Sequence, residues 1–403
     1  MAGTAGGAAH GRGAKVARGG AAVSVEAAIE GCYARDGAPL PVPVLERSVR
    51  LEPDAVVILD RRVFPHQEVW VRASSGEQVA DAMRRMVTQS TGPIFAALAA
   101  LVLTARQRAA GPPAEAVAAL RQAAGLLAGA RPTNNSVGDA VRAVQAALEA
   151  ELSAAAARGR ALDSAQVAQA VQREAAAQAL WFRRRCALLA GHAAALLEDG
   201  ARLLTHCWMD TYLIELVRAG HAAGKRFSYV ATETRPYLQG ARLTAHTLAQ
   251  MGQDVTLITD GMAAAVLSPF SALGPVDALV TAADRVSMDG HVFNKVGTLG
   301  AALAARAFGV PFYVLIQAPD PRSPAAADVV VERREGAEVL SVQGVRTASP
   351  LVTQAYYPAF DVTPPQYVTR IVTDRGPFEA QKVSAYFDPA APPGGGPGGH
   401  AAG

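Results

Sequence analysis

The feature that most limits what this chain can fold into is an alternation that sets in after Asp199-Gly200. Short apolar runs (ARLLTHC, FSYVAT, DVTLITD, DALVTAAD and FYVLIQ) are separated by stretches of helical character. Buried runs of this length joined by helices predict right-handed βαβ units and a mainly parallel sheet. The fold class expected is therefore α/β with a Rossmann-like C-terminal domain. In such sheets ligands gather beyond the carboxyl ends of the strands. The residues that close the runs are the first candidates: Cys207, Glu233, Asp260 and Asp284.

Upstream the pattern differs. Val49 to Trp70 alternates apolar and charged residues, which predicts two short strands. Ser75 with Gln78 forms a capping-box signature, and Val79, Ala82, Met83 and Met86 follow on one helical face. Good helix formers continue to about Ala195, broken at Gly111-Pro112-Pro113 and at the Arg131–Ser136 turn. The run IFAALAALVL from Ile94 is closed by Arg106, well short of the roughly 20 residues a membrane span needs. It predicts a buried helix. The expected organisation is an Ala/Gly/Pro-rich tail over 1–45, a helical domain over 46–195, the Rossmann-like domain over 196–388 and a second tail over 389–403. Neither tail has the composition to fix itself or to carry chemistry.

Composition excludes several classes. Among 403 residues, 38 Lys and Arg face 35 Asp and Glu, a net charge of +3 without the clustered basic stripe of a nucleic-acid binder. Three scattered cysteines, Cys32, Cys186 and Cys207, make neither a disulfide framework nor a Cys-type zinc site. With no apolar signal segment at the start, the expectation is a cytoplasmic, soluble protein. No G-x-G-x-x-G follows a strand and no phosphate-loop motif occurs, so neither a dinucleotide cofactor nor P-loop hydrolysis is expected.

Five places carry candidate chemistry. Cys207 ends a strand ahead of a helix, where unpaired N–H groups stabilise a thiolate; the plainer reading is an inert buried cysteine. A metal held by His206, Cys207 and Asp210 lacks ligand spacing elsewhere, and no metal is expected. Asp284, if half desolvated after an apolar strand, suits a general acid, or else an ion pair with Arg285. Asn294-Lys295-Val296-Gly297-Thr298, read as a loop entering a helix, could cradle a phosphate. Arg131-Pro132-Thr133 is an exposed turn whose Arg and Thr could meet one too. The string Glu233–Ala245 (ETRPYLQGARLTA) is the most distinctive, with Gly240 placed for a close approach of helix and loop.

That string, with LLTHC before it, AADR and NKVGT after it, PAFDVTP at Pro358–Pro364 and LDRRVFP at Leu59–Pro65, resembles the S-methyl-5-thioribose-1-phosphate isomerases. These group with ribose-1,5-bisphosphate isomerases and with regulatory subunits of a translation-initiation exchange factor. The resemblance covers roughly Ser48 to Phe378. It implies a helical domain on a Rossmann-like domain, a homodimer, a sugar-phosphate substrate and no cofactor. Residue by residue, it implies Cys207 as catalytic cysteine, Asp284 as proton donor, and Arg131, Gln239, Asn294 and Lys295 as substrate-binding positions.

Departures from the family are local. Where the isomerases have Arg-Gly-Ala-Pro-x-Ile-Gly, this chain has Gln89-Ser90-Thr91-Gly92-Pro93-Ile94-Phe95, so Gln89, Ser90 and Thr91 are the expected substrate-facing residues there. Trp208 and Met209 follow the cysteine in place of small or amide residues, and Gln317–Pro321 replaces a later loop motif.

Overall fold

The computed structural model describes residues 23–31, 40–131, 135–331 and 333–389. A small antiparallel sheet of β1 (Val49–Leu51), β2 (Val56–Leu59) and β3 (Trp70–Ala73) opens the folded part. It has three strands where the sequence predicts two, because Trp70 begins a third instead of ending the second.

Five helices follow: α2 (Gly76–Arg84), α3 (Gly92–Gln107), α4 (Pro113–Gly129), α5 (Asn135–Ala156) and α6 (Ser164–Ala195). The predicted capping box at α2 is half formed. The Ser75 hydroxyl accepts the Gln78 N–H at 3.2 Å, but the Gln78 side chain turns to the Ser74 N–H at 2.7 Å. Val79, Ala82 and Met83 are buried, whereas Met86 has left the helix in a left-handed conformation. Every residue of α3 from Gly92 to Ala105 is buried, which accounts for the apolar run. No described helix is long and apolar enough to cross a membrane.

The stretch expected to be an unfixed tail holds α1 (Val25–Glu30), with Val25, Ala28 and Ile29 buried. Six residues are too few to show periodicity. What fixes them is tertiary: buried Arg183 donates to the Ala28 carbonyl at 3.1 Å and the Ile29 carbonyl at 2.7 Å, closing the helix end. The rest of the two expected tails lies largely outside the described residues.

The larger sheet is built from β4 (Arg202–Thr205), β5 (Ser228–Thr232), β6 (Asp254–Ile258), β7 (Ala278–Ala282), β10 (Phe312–Leu315), β14 (Arg370–Thr373) and β15 (Gly376–Phe378). Its order is β15-β14-β10-β7-β4-β5-β6, parallel except for the last hairpin β14–β15. Helices α7 (Thr211–Ala222), α8 (Ala245–Gln250), α9 (Ala263–Leu267) and α10 (Thr298–Ala307) supply crossovers. Between β7 and β10 the chain also forms β8 (Arg285–Val286) and β9 (Val292–Lys295), which pair with β13 (Phe360–Thr363) in a separate antiparallel sheet; β11 (Ser341–Val342) and β12 (Val345–Arg346) make a small hairpin.

Alternation along the strands divides the core. Leu203, Ala278, Val280, Leu315 and Val372 join the cluster that includes the helical domain. Their neighbours Leu204, Leu279, Val314 and Ile371 join a second cluster with α9 and α10. The helical domain therefore seals one face of the sheet. Chain order runs from β4 outward to β6, then returns to β7 on the other side of β4. That reversal places the switch point between β4 and β7.

Candidate active site

Cys207 stands just beyond β4 and Asp284 just beyond β7, so the two sit on either side of the switch point. A cavity of about 990 Å³, counted out to its open mouth, is lined by both. Every predicted site residue lines it as well: Arg131, Gln239, Asn294, Lys295, Gln89, Ser90 and Thr91. Pro132 and Thr133 lie outside the described residues. Glu233 and Asp260 are not in the wall. Asp260 instead accepts the Thr234 and Arg235 backbone N–H groups, both at 2.7 Å, and shapes the loop after β5.

The backbone around the cavity is unusual. Met86, Ser90 and Cys207, all in the wall, have φ of +61°, +57° and +68°. Thr234 and Leu238 behind it are also left-handed, at +63° and +64°. Each such non-glycine residue costs on the order of 1–3 kcal/mol and persists only where its surroundings hold it. For Cys207 the holders are visible. Its N–H donates to the Thr234 hydroxyl at 2.9 Å, and its carbonyl accepts from the Thr244 hydroxyl. Gly240 lets the segment after Gln239 lie against β5: a Cβ there would fall 1.7 Å from the Thr232 carbonyl oxygen.

Three readings of the sequence need correction. First, α7 begins only at Thr211, so Cys207 does not sit at a helix N-terminus. Burial pushes its thiol up to about 12; Lys295 draws it down and Asp284 pushes it further up. Second, Asp284 is exposed at the rim, not half desolvated, with its N–H bonded to the Phe293 carbonyl at 2.9 Å. Third, Asn294 and Lys295 are the last residues of β9, not part of a loop. The N–H groups of Gly297 and Leu299 at the start of α10 are taken by Asp361, at 2.7 and 3.1 Å, so they cradle no phosphate.

Lys295 itself is aimed by its neighbours. It is 5% exposed, with Nζ 5.0 Å from the Phe360 ring centroid and 5.8 Å from that of Tyr357. Asn294 donates to the Thr298 hydroxyl at 3.0 Å, and that hydroxyl donates to the Lys295 carbonyl at 2.7 Å. Gln239 faces Gln89, its amide 3.4 Å from the Gln89 side-chain oxygen. His206 links the two halves of the site: one ring nitrogen is 2.6 Å from the Thr232 hydroxyl, the other 2.9 Å from the Val296 carbonyl. Burial lowers its pKa, which keeps the ring neutral and suited to this bridge.

Sequence reasoning missed Arg334, which reaches the cavity from the segment before β11. Its string ERREG offers only a charge cluster as a signal. Among the described residues the wall holds three cations, Arg131, Lys295 and Arg334, against one carboxylate, Asp284. That balance suits an anionic ligand with planar or tetrahedral oxygens. Phe182, Trp208, Met209, Tyr212 and Phe360 supply an apolar side. No group of three or more His, Cys, Asp and Glu among the described residues could hold a metal.

Comparison with known proteins places the chain in a family. Residues 89–380 match the model of the initiation factor 2 subunit family. A methylthioribose-1-phosphate isomerase from Anaeromyxobacter sp. (strain K) is 38% identical over 347 residues, 84% of this chain and 94% of that one. A 5-deoxyribose 1-phosphate isomerase from Moorella thermoacetica is 38% identical over 333 residues, 80% of this chain and 91% of that one. The crystal structure of 5-methylthioribose 1-phosphate isomerase from Pyrococcus horikoshii OT3 superposes with a TM-score of 0.73 at 29% identity, covering 84% and 94% of the two chains. Subunit delta of translation initiation factor eIF-2B from A. fulgidus gives 0.70 at 30% identity, covering 82% and 95%. The chain belongs to the initiation factor 2 subunit family, alongside its methylthioribose-1-phosphate isomerases.

Proposed function

We propose that this protein isomerises an aldose 1-phosphate to the ketose 1-phosphate, with S-methyl-5-thioribose 1-phosphate as substrate in methionine salvage. The observation that carries the reading is the placement of Cys207 and Asp284 on adjacent strand ends of one cavity with three cations in its wall. The names of the relatives support the substrate class, and the 5-deoxyribose enzyme among them marks C5 as the position that varies. A homodimer and a cytoplasmic setting go with this reading.

A sugar 1-phosphate is locked as a ring, because the phosphate occupies the anomeric oxygen. Asp284 is the group that delivers a proton to the ring oxygen as the bond from C1 to that oxygen breaks. The electron-poor C1 then takes hydrogen from C2, either as a hydride with its electron pair or by loss of the C2 proton to form the C1=C2 enol and return of a proton to C1. C2 becomes the ketone as its hydroxyl proton returns to Asp284. Cys207 serves this transfer, either as a base that carries a proton between the carbons or as a participant in a hydride-type shift. Burial pushes the thiol up, so the first route requires Lys295, which draws it down, to outweigh that burial. Lys295, Asn294 and Arg131 hold the phosphate, and Gln239, with the Gln89–Thr91 loop, faces the sugar hydroxyls. Holding the opened sugar in a near-attack geometry supplies much of the rate.

The test is NMR-monitored turnover of methylthioribose 1-phosphate and of ribose 1,5-bisphosphate, with Cys207→Ser as control. Conversion of the first, lost in the variant, supports the proposal. Conversion of the bisphosphate alone moves the protein to the related branch. Conversion of neither overturns the assigned substrate and leaves another sugar phosphate, 5-deoxyribose 1-phosphate first, or a sugar-phosphate-binding regulator.

A further inference from the structure

The Leu59–Pro65 motif contributes nothing to the cavity wall, yet one of its side chains reaches both loops that do. Arg61 is 1% exposed. Its Nη1 donates to the Gln89 carbonyl at 2.9 Å and to Asp210 Oδ2 at 2.7 Å, and its Nη2 donates to the Ser48 hydroxyl at 2.7 Å. Asp210, whose side chain is 3% exposed, also accepts the backbone N–H of Thr91 at 3.2 Å. The hydroxyls of Thr91 and Thr211 meet at 3.0 Å beside it.

Asp210 occupies the N-cap position of α7, where an aspartate ordinarily accepts N–H groups of its own first turn. Here it makes no such bond and stands at φ +51°. Its carboxylate has been turned from its own helix toward the other domain. One guanidinium and one carboxylate thus join the Gln89–Thr91 loop to the Cys207–Asp210 loop, and each loop carries left-handed residues that need holding. The motif is anchored in turn by buried Arg242, which donates to the carbonyls of Arg61 and Phe64, both at 2.8 Å. Local preference yielding to a distant contact is what a functional arrangement produces.

We propose that the Arg61–Asp210 pair is a positioning device for the reaction: it sets where the Cys207 thiol stands relative to the Gln89–Thr91 face of the substrate. Neither residue lines the cavity. Arg61 serves because its fork holds the Gln89 carbonyl and the Asp210 carboxylate on one nitrogen while the other is anchored at Ser48. Lysine, a point charge on a flexible stem, cannot reproduce this.

The experiment compares Arg61→Lys, Asp210→Asn and the double variant in the full chain. Its kinetic arm rests on the isomerase reading; its chemical arm does not. Displacement of reacting groups by about 1 Å costs roughly 100-fold. Each single variant, folded by circular dichroism and thermal melt, is expected to lose about that much kcat with KM within about threefold. The double variant is expected to lose no more than the worse single, since the pair acts as one unit. The iodoacetamide alkylation rate of Cys207, read on its own peptide by mass spectrometry, shifts severalfold in the same variants. If Asp210→Asn does not fold, Asp210→Glu takes its place with the same expectation. Folded variants with kcat within twofold of the parent and an unchanged alkylation rate overturn the proposal, as do losses that multiply in the double variant. If the parent protein turns over neither sugar phosphate, the assigned substrate fails, and the alkylation arm alone decides the positioning claim.

Discussion

Asp361 accepts the backbone N–H of Gly297 at 2.7 Å, closing the start of α10 with a carboxylate from β13. The partnership is strained electrostatically: burial pushes Asp361 from its ordinary 3.8 up to about 6, against the pull of the N–H groups and Lys295. A raised carboxyl favours the folded state most while protonated. That contribution is complete below 3.8 and lost as pH rises through about 6. The full difference corresponds to roughly 3 kcal/mol. Asp361→Asn, which does not titrate, is expected to gain melting temperature relative to the parent as pH rises from 4 to 7. A difference flat across that range would refute the assignment.

Cys207 is expected to alkylate slowly at neutral pH. With a thiol near 12, the thiolate fraction at pH 7 is on the order of 10⁻⁵, and the rate climbs about tenfold per pH unit through pH 10. Lys295 draws the thiol down and Asp284 pushes it up, so Lys295→Met slows alkylation and Asp284→Asn quickens it. A rate that levels off by pH 8 contradicts this environment.

Removing either reacting group abolishes turnover if the proposed chemistry is right. Cys207→Ser and Asp284→Asn are each expected to lower kcat by about 10³-fold or more, with melting temperatures close to the parent. Near-normal kcat in either variant sinks that residue's role.

Two glycines separate close approach from mere flexibility. Gly240→Ala puts a methyl 1.7 Å from the Thr232 oxygen, so the variant is expected to lose about 3 kcal/mol or more, or to fail to fold. Gly125, exposed within α4, has nothing within 4 Å of an added Cβ, and Gly125→Ala is expected to stabilise by about 1 kcal/mol. Urea melts of the pair give both signs.

The parallel strands were legible because each is a short apolar run bounded by helix, and such runs declare themselves locally. The β8–β9–β13 sheet was not, because Asn294 pairs with Asp361 across a long chain separation that no periodicity records. The same distance hid the capping of α10, and with it the misreading of the Asn294–Thr298 segment as a phosphate cradle. At the site, Cys207 and Asp284 were legible as residues that close apolar strands, Arg131, Asn294 and Lys295 as polar motifs, and Gln239 with Gln89–Thr91 only through the resemblance; the structure brings them into one wall. Arg334 escaped because an arginine in a charged string looks like a solvated one. The upward push on the thiol escaped because burial is a property of packing, which position after a strand does not report.

The left-handed residues around the cavity have a consequence for how this sequence can drift. At Met86, Ser90, Cys207, Asp210, Thr234 and Leu238, glycine offers the backbone an easier conformation. At Met86, Ser90, Thr234 and Leu238 a glycine would relax the backbone while removing a side chain that lines or backs the cavity, so stability gained there is set against the aim of Cys207; at Cys207 and Asp210 the same exchange removes the reacting thiol or its tether outright.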